Sequence, residues 1–445
     1  MSDKVLIRGG CVLTLGAKTP NHPQADVLTE DGVVAEIGTG LRARDAETID
    51  ATYAIVMPGF VDTHRHVWKS LFRNLGESGS TGGAPVSADV YGPHYSPEDT
   101  YAATLVGLLG AIEAGITTVV DWSDVNPEPG HVDAALQAHN DAGLRTVFVH
   151  AIPAWDGGTS QDTKAGLRRL AAKQTEFFSD SVSIAFGSAD PVRPDLNGVT
   201  RDWAVARELG MRIHAHVGAD PRDRGVVADL AREGLLGEDV TLIHCSHLNT
   251  GDLEAIADNR IPVALAPSSE MADGVGIPPI QYLLDRGIRP GLGVDSERVT
   301  PGDIFAQMRA INSVQHATHF DLKLAGKGGL SNLLTTREVI RFATSDGARV
   351  AGLGDVTGSL EVGKKADLIL LRTDRPNIWP INDSVGAVVW GMDTSNVDYV
   401  LAGGRILVRD GELTADVPHV RDLAETARRR VAGAAGLMAS AGGRV

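Results

Sequence analysis

Two histidines stand one residue apart at the end of an apolar run, Pro58-Gly59-Phe60-Val61-Asp62-Thr63-His64-Arg65-His66. On a strand, residues two apart share a face, so His64 and His66 can aim both imidazoles at one point. Histidines or an acid recur at the ends of later apolar runs: Arg212-Ile213-His214-Ala215-His216, Leu242-Ile243-His244-Cys245-Ser246-His247 and Gly291-Leu292-Gly293-Val294-Asp295-Ser296. Imidazole nitrogens plus a carboxylate suit zinc or iron and leave a coordination position open for water. Each group alone could be a packed or solvated side chain. Four such groups at four strand ends point to a metal centre.

The elements that must position them form a regular series. Apolar, β-branched runs alternate with helix-period segments, as in a parallel sheet wrapped by helices. Eight candidate strands fall at 56–62, 115–121, 145–151, 182–188, 211–217, 240–246, 261–267 and 289–295. Eight strand–helix units are what a closed (β/α)8 TIM-like barrel requires, and in a barrel every strand end lies on one rim. An open doubly wound sheet is the rival. Ser96 is placed to cap a helix over Pro97–Ala114, with Gly115 as its stop.

The flanks have a different texture. Residues 1–56 and 358–415 read as short strands with turn signals, Asp31-Gly32 marking a hairpin. Neither flank has enough apolar surface for its own core, so the two are expected to form one small β-sandwich around a barrel at 57–357. A helical tail follows at 416–445, expected to pack on the barrel or a second subunit.

The chain has 445 residues with a formal net charge of −16, which argues against a nucleic-acid partner. Its two cysteines, Cys11 and Cys245, have no paired spacing, and neither a signal-peptide core nor a long apolar run is evident. A cytoplasmic enzyme that makes no membrane contact is expected.

Together PGFVDTHRH, the HAH stretch, HCSHL, PSSE and GLGVDS resemble the amidohydrolase superfamily. The similarity is to its mononuclear deaminases and chlorohydrolases: cytosine, guanine and S-adenosylhomocysteine deaminases, and triazine hydrolases. The resemblance implies one divalent metal, zinc or iron, held by His64, His66, His216 and Asp295. It implies that Asp295 also accepts a proton from the attacking water and that His244 orients the attacked group. His214 is left as a supporting or packing residue, and Trp68 and Lys69 occupy positions that contact substrate in relatives. His94 is a candidate from the long Gly-rich loop at 76–97. Strand four ends Phe186-Gly187-Ser188-Ala189-Asp190, without the lysine that bridges two metals in binuclear members. A homo-oligomer is also expected.

One departure bears on the reaction. Deaminases of this branch carry a Glu three residues after the strand-five ligand, where this chain has Ala219 followed by Asp220. Glu270, in place of the asparagine usual after strand seven, could supply a displaced acid, while Asp220 could simply cap a helix. The implied activity is hydrolysis at an sp2 carbon by metal-activated water, removing an exocyclic group from a nitrogen heterocycle. Cleavage of a linear amide, carbamate or urea, displacement of a good leaving group, and a metal-binding homologue without turnover are the alternatives.

Overall fold

The structure is a computed structural model that describes residues 4–75, 86–153, 155, 160–177, 180–190 and 196–437. Eight parallel strands follow one another in sequence order: Phe60–Arg65, Ile116–Ser123, Arg145–His150, Val182–Gly187, Arg212–Val217, Val240–His244, Val263–Leu265 and Gly291–Leu292. The first and last meet through a parallel bridge between Arg65 and Asp295. Asp295 donates its N–H to the His64 carbonyl at 2.8 Å, and His66 donates to the Asp295 carbonyl at 2.8 Å. These bonds close the barrel and exclude the open sheet.

Alternation along the strands divides the apolar side chains into two sets. Val61, Val120, Val147, Val149, Ala185, Ile243 and Ala264 form one buried cluster, while Phe60, Val119, Phe148, Ile184, Ile213 and Leu242 join the large core shared with the helices. The small side chains of the first set let the barrel close on itself.

The expected strand 56–62 is two strands. Ala54–Pro58 belongs to the other sheet, and the barrel strand starts at Phe60. Between them Gly59 donates its N–H to Asp367 at 3.1 Å, and a Cβ there would lie 2.2 Å from side-chain atoms of Thr117. Because Thr117 is β-branched and buried, it cannot easily yield. Gly59→Ala should therefore lower unfolding stability by about 1–3 kcal/mol, the usual range for overpacking, as read by urea titration.

The two flanks pair into one mixed sheet of nine strands. Ala54–Pro58 runs antiparallel to Leu368–Arg372, with Pro58 opposite Leu368 and Ala54 opposite Arg372. Val5, Ile7, Val27, Val56, Leu368 and Leu370 form its own buried cluster. The hairpin lies where Asp31-Gly32 marks it, with φ of 50° and 78° at the two residues and Glu30 paired with Val33. Two positive φ angles match the twist of the flanking strands.

The helix Pro97–Glu113 has the Ser96 cap and a full capping box with Asp99. The tail forms the helix Val417–Ala434, whose Val431 and Ala427 pack with Trp68, Phe72 and Tyr95. Arg430 ties this helix to Asp99 and donates to the His94 carbonyl at 2.8 Å. Among the described residues no helix is long and apolar enough to cross a membrane.

Candidate metal centre

Donor atoms meet at the barrel rim in two overlapping sets that share His64: His64 with His66 and Asp295, and His64 with His216 and His244. Nε2 of His64 and Nε2 of His66 each lie 3.5 Å from Asp295 Oδ1, and His216 Nε2 lies 3.3 Å from His64 Nε2. A tetrahedral ion with bonds of about 2.0–2.1 Å has edges of roughly 3.3–3.4 Å between its ligand atoms. The three separations lie near those edges, so His64, His66 and Asp295 fit a divalent ion and His216 adjoins it beside His64. His64 is fully buried, and burial holds its imidazole well below the usual histidine range. A neutral ring presents the lone pair a metal takes. Burial opposes charge on Asp295, but the hydrogen bond and charge of His64, with His66 and His244, outweigh it and keep this carboxyl well below its ordinary range.

His244 stands at the edge of this set. Its ring nitrogen, with donors of His64 and His216, falls within a 4.8 Å group. Its Nδ1 faces Glu270 Oε1 at 3.1 Å. Burial disfavours charge on this imidazole, yet the Glu270 carboxylate beside it wins and pushes it up.

The donors rest on a second layer of contacts. Asp124 Oδ1 lies 3.1 Å from His66 Nδ1 and accepts the Trp68 indole N–H at 2.5 Å. Ser269 donates its hydroxyl to Asp295 Oδ2 at 2.8 Å, leaving Oδ1 to face the histidines. Asp62 accepts the Val294 N–H at 3.1 Å, and Arg65 joins Asp62 to Glu297, tying the first barrel strand to the loop after the last. The Trp122 ring packs 4.1 Å from that of His216. His244, Cys245 and Asp295 have φ of 74°, 62° and 63°. For side chains other than glycine that conformation costs about 1–3 kcal/mol, so the rim is held in a strained shape by its surroundings.

The sequence model of the Amidohydrolase family matches residues 55–407. The chain belongs to the Amidohydrolase family. This amidohydrolase is 28% identical to a 5'-deoxyadenosine deaminase of Methanothermobacter thermautotrophicus, over 97% of the chain and 100% of the relative. It is 27% identical to a 5-methylthioadenosine/S-adenosylhomocysteine deaminase of Acetivibrio thermocellus, over 96% of the chain and 99% of the relative. Among solved structures, an adenosine deaminase from Xanthomonas campestris with bound zinc superposes with a TM-score of 0.83 at 21% identity, covering 96% of this chain and 98% of that one. The zinc complex of an atrazine chlorohydrolase from Arthrobacter aurescens gives 0.78 at 22% identity, covering 95% and 100%. The two structures share the fold.

Within the amidohydrolase site, the other sequence candidates separate. Glu270 is expected to lean over the rim toward the metal, but it is fully buried behind His244. Residues Pro267–Ala272 form a helical turn, and Glu270 Oε1 folds back to accept the Ala266 N–H at 2.8 Å as well as facing His244. Asp220 is a cap: it accepts the Arg222 N–H at 2.8 Å at the start of the turn Pro221–Asp223. His214 is wholly buried beside the donor set, with neither ring nitrogen hydrogen-bonded, and burial lowers it to about 3. Trp68 is buried under the site with its indole on Asp124, and Lys69 Nζ lies 5.9 Å over that ring. His94 is exposed on the turn Gly92–His94, where its carbonyl serves Arg430. Residues 76–85 of the loop that suggested it lie outside the described residues. Cys245 is buried in the core, as the alternation after His244 implies.

Sequence reasoning missed Asp124, Asp190, Trp122 and Ser269. The signal for Asp124 and Asp190 was available, since one directly follows the second barrel strand and the other lies three residues after the fourth. For Ser269 the signal was its place beside Glu270, on a turn that brings it to the strand-eight acid.

Proposed function

We propose that this amidohydrolase is a mononuclear, metal-dependent deaminase that removes the exocyclic amine from a purine-type nitrogen heterocycle. The observation that carries the reading is the cluster of His64, His66 and Asp295 at ion-sized spacing, with His216 Nε2 beside His64 Nε2. The relatives named for 5'-substituted adenosines supply the substrate class. When bound, a divalent ion would lower the pKa of water toward ~7 and so provide hydroxide at neutral pH. We assign the ion as zinc, on the imidazole-rich donor set.

The protein's own groups divide the remaining work. Asp295, with Oδ1 turned to the histidines and Oδ2 accepting the Ser269 hydroxyl, is the carboxylate that would take the proton of the attacking water. His244, with Nδ1 held by Glu270, presents Nε2 to the atom beside the carbon under attack. Glu270 is a positioning residue that works through His244. With Ala219 offering no acid, Asp295 and His244 are the groups placed to return a proton to the leaving amine.

Two measurements test this reading. Reconstituted protein should hold one tightly bound metal per chain, and two strongly held ions would overturn the mononuclear assignment. At full occupancy, ammonia should be released from adenosine-type nucleosides in a panel that also contains cytosine, guanine, triazines, and linear amides and ureas. Turnover confined to the linear substrates or to chlorotriazines would overturn the deaminase reading. So would inactivity across the panel.

Glu270 and Asp220 should behave differently. Glu270→Gln should lower kcat about 10–100-fold with metal content unchanged, the usual cost of removing a group that orients a working histidine. Asp220→Asn should leave kcat within about twofold, because asparagine caps a turn as well as aspartate does. Steady-state kinetics alongside metal analysis decides both.

A further inference from the structure

We infer that Asp190 is a positioning residue that fixes the ring of His216 for metal binding; the inference rests on the reading of His216 as a ligand. Asp190 follows the fourth barrel strand, and its Oδ1 lies 3.6 Å from His216 Nδ1. The opposite nitrogen of that ring, Nε2, faces His64 Nε2 at 3.3 Å. The carboxylate thus sits at the back of the imidazole and the convergence point at its front.

The backbone that launches Asp190 is pinned. Ser188 donates its N–H to the His214 carbonyl at 2.8 Å, which extends strand four along strand five. Its hydroxyl donates to the Ala189 carbonyl at 2.8 Å and accepts the Trp203 indole N–H at 2.8 Å. Asp190 therefore leaves strand four at a set place beside His216.

A carboxylate 3.6 Å from Nδ1 favours by its charge the tautomer with the proton on that nitrogen, which leaves the lone pair on Nε2, facing His64. That choice matters here, because two Nε2 lone pairs in such proximity repel when no ion lies between them. A free imidazole would relieve the repulsion by moving its proton to Nε2, which blocks the metal. Asp190 opposes that shift. It differs from Asp124 in being solvent-exposed, with 69% of its side chain accessible against 20%. Its hold is accordingly weaker than that of a buried partner.

The test is zinc affinity, measured on the full chain by competition with a chromophoric chelator. Asp190→Ala should weaken binding about 10-fold, the low end for a supporting partner of a metal histidine. Asp190→Asn, which keeps a dipole but not the charge, should fall between Asp190→Ala and the parent. In nitrogen NMR of labelled, metal-free protein, His216 should carry its proton on Nδ1 and lose that preference in Asp190→Ala. The thermal midpoint of the metal-free protein should not move, since the side chain is exposed. His216→Ala is the control. If it loses zinc while Asp190→Ala binds within twofold of the parent, the inference fails and the ligand assignment stands. If His216→Ala itself keeps full affinity, the ligand assignment fails and Asp190 falls with it.

Discussion

His216→Ala should cost the protein its metal, and His214→Ala should not. The two histidines are two apart on one strand, so sequence spacing alone cannot rank them. Geometry can: His216 Nε2 is 3.3 Å from His64 Nε2, whereas both nitrogens of His214 lie in the buried interior without a partner. Structural zinc sites bind with about 10–16 kcal/mol, so one donor of four carries roughly 3 kcal/mol, or about 100-fold in affinity. His214→Ala acts on packing instead. It removes a buried ring and leaves a cavity, a change that costs about 2–5 kcal/mol for large-to-small core substitutions. Removing two unsatisfied polar atoms offsets part of that loss. Metal titration and thermal unfolding of both variants should give opposite patterns. Loss of metal in His214→Ala with retention in His216→Ala would reverse the assignment.

His244→Ala should keep the metal and lower kcat about 100-fold or more, as expected for losing a positioned acid–base group. The prediction is sharp because the structure contains its alternative: His64, His216 and His244 also form a group close enough to share an ion. A carboxylate at the His244 Nδ1 does not separate the readings, because His66 and His216 have one too, so the metal content of the variant decides. Glu270 holds Nδ1, and the strained backbone at His244 and Cys245 sets the ring at the rim beside the donors joined by Asp295. The loss in Glu270→Gln should be smaller than in His244→Ala, since glutamine can still accept the Nδ1–H. If His244→Ala loses its metal, His244 is a ligand and the role given to Asp295 as sole carboxylate donor and base must be redrawn.

The repeating strand ends made most of the site legible. His64 and His66 are readable because strand periodicity is two, and His216, His244 and Asp295 because a barrel gathers all its strand ends on one rim. Segmentation failed at 56–62, where Met57 and Phe60 are equally apolar but serve different sheets. The approach of Thr117 to Gly59 and the Gly59 bond to Asp367 mark the break, and both contacts are between segments remote in sequence. Glu270 was found as a residue and misjudged in direction, because a proline-started turn and a loop read alike until the Ala266 hydrogen bond is seen. Trp68 and His94 likewise sit near the site by sequence, yet the tail helix and the aromatic cluster beneath the first strand decide where they point. Asp124 and Asp190 are single acids after strands, and many surface acids look the same. Their meaning depends on the ring nitrogen each one faces.

The barrel's seam has a consequence for the order of events in synthesis. Two of the donors precede the seam and one follows it, joined by the bonds between His64, His66 and Asp295. During translation His64 and His66 emerge early, but the Asp295 carboxylate they share is missing until the strand carrying it has left the ribosome. Closing so long a loop is among the slow steps of folding, since its entropy is spent before any contact rewards it. A metal site completed by Asp295 would therefore form late, and an ion held there would join the first strand of the barrel to the last.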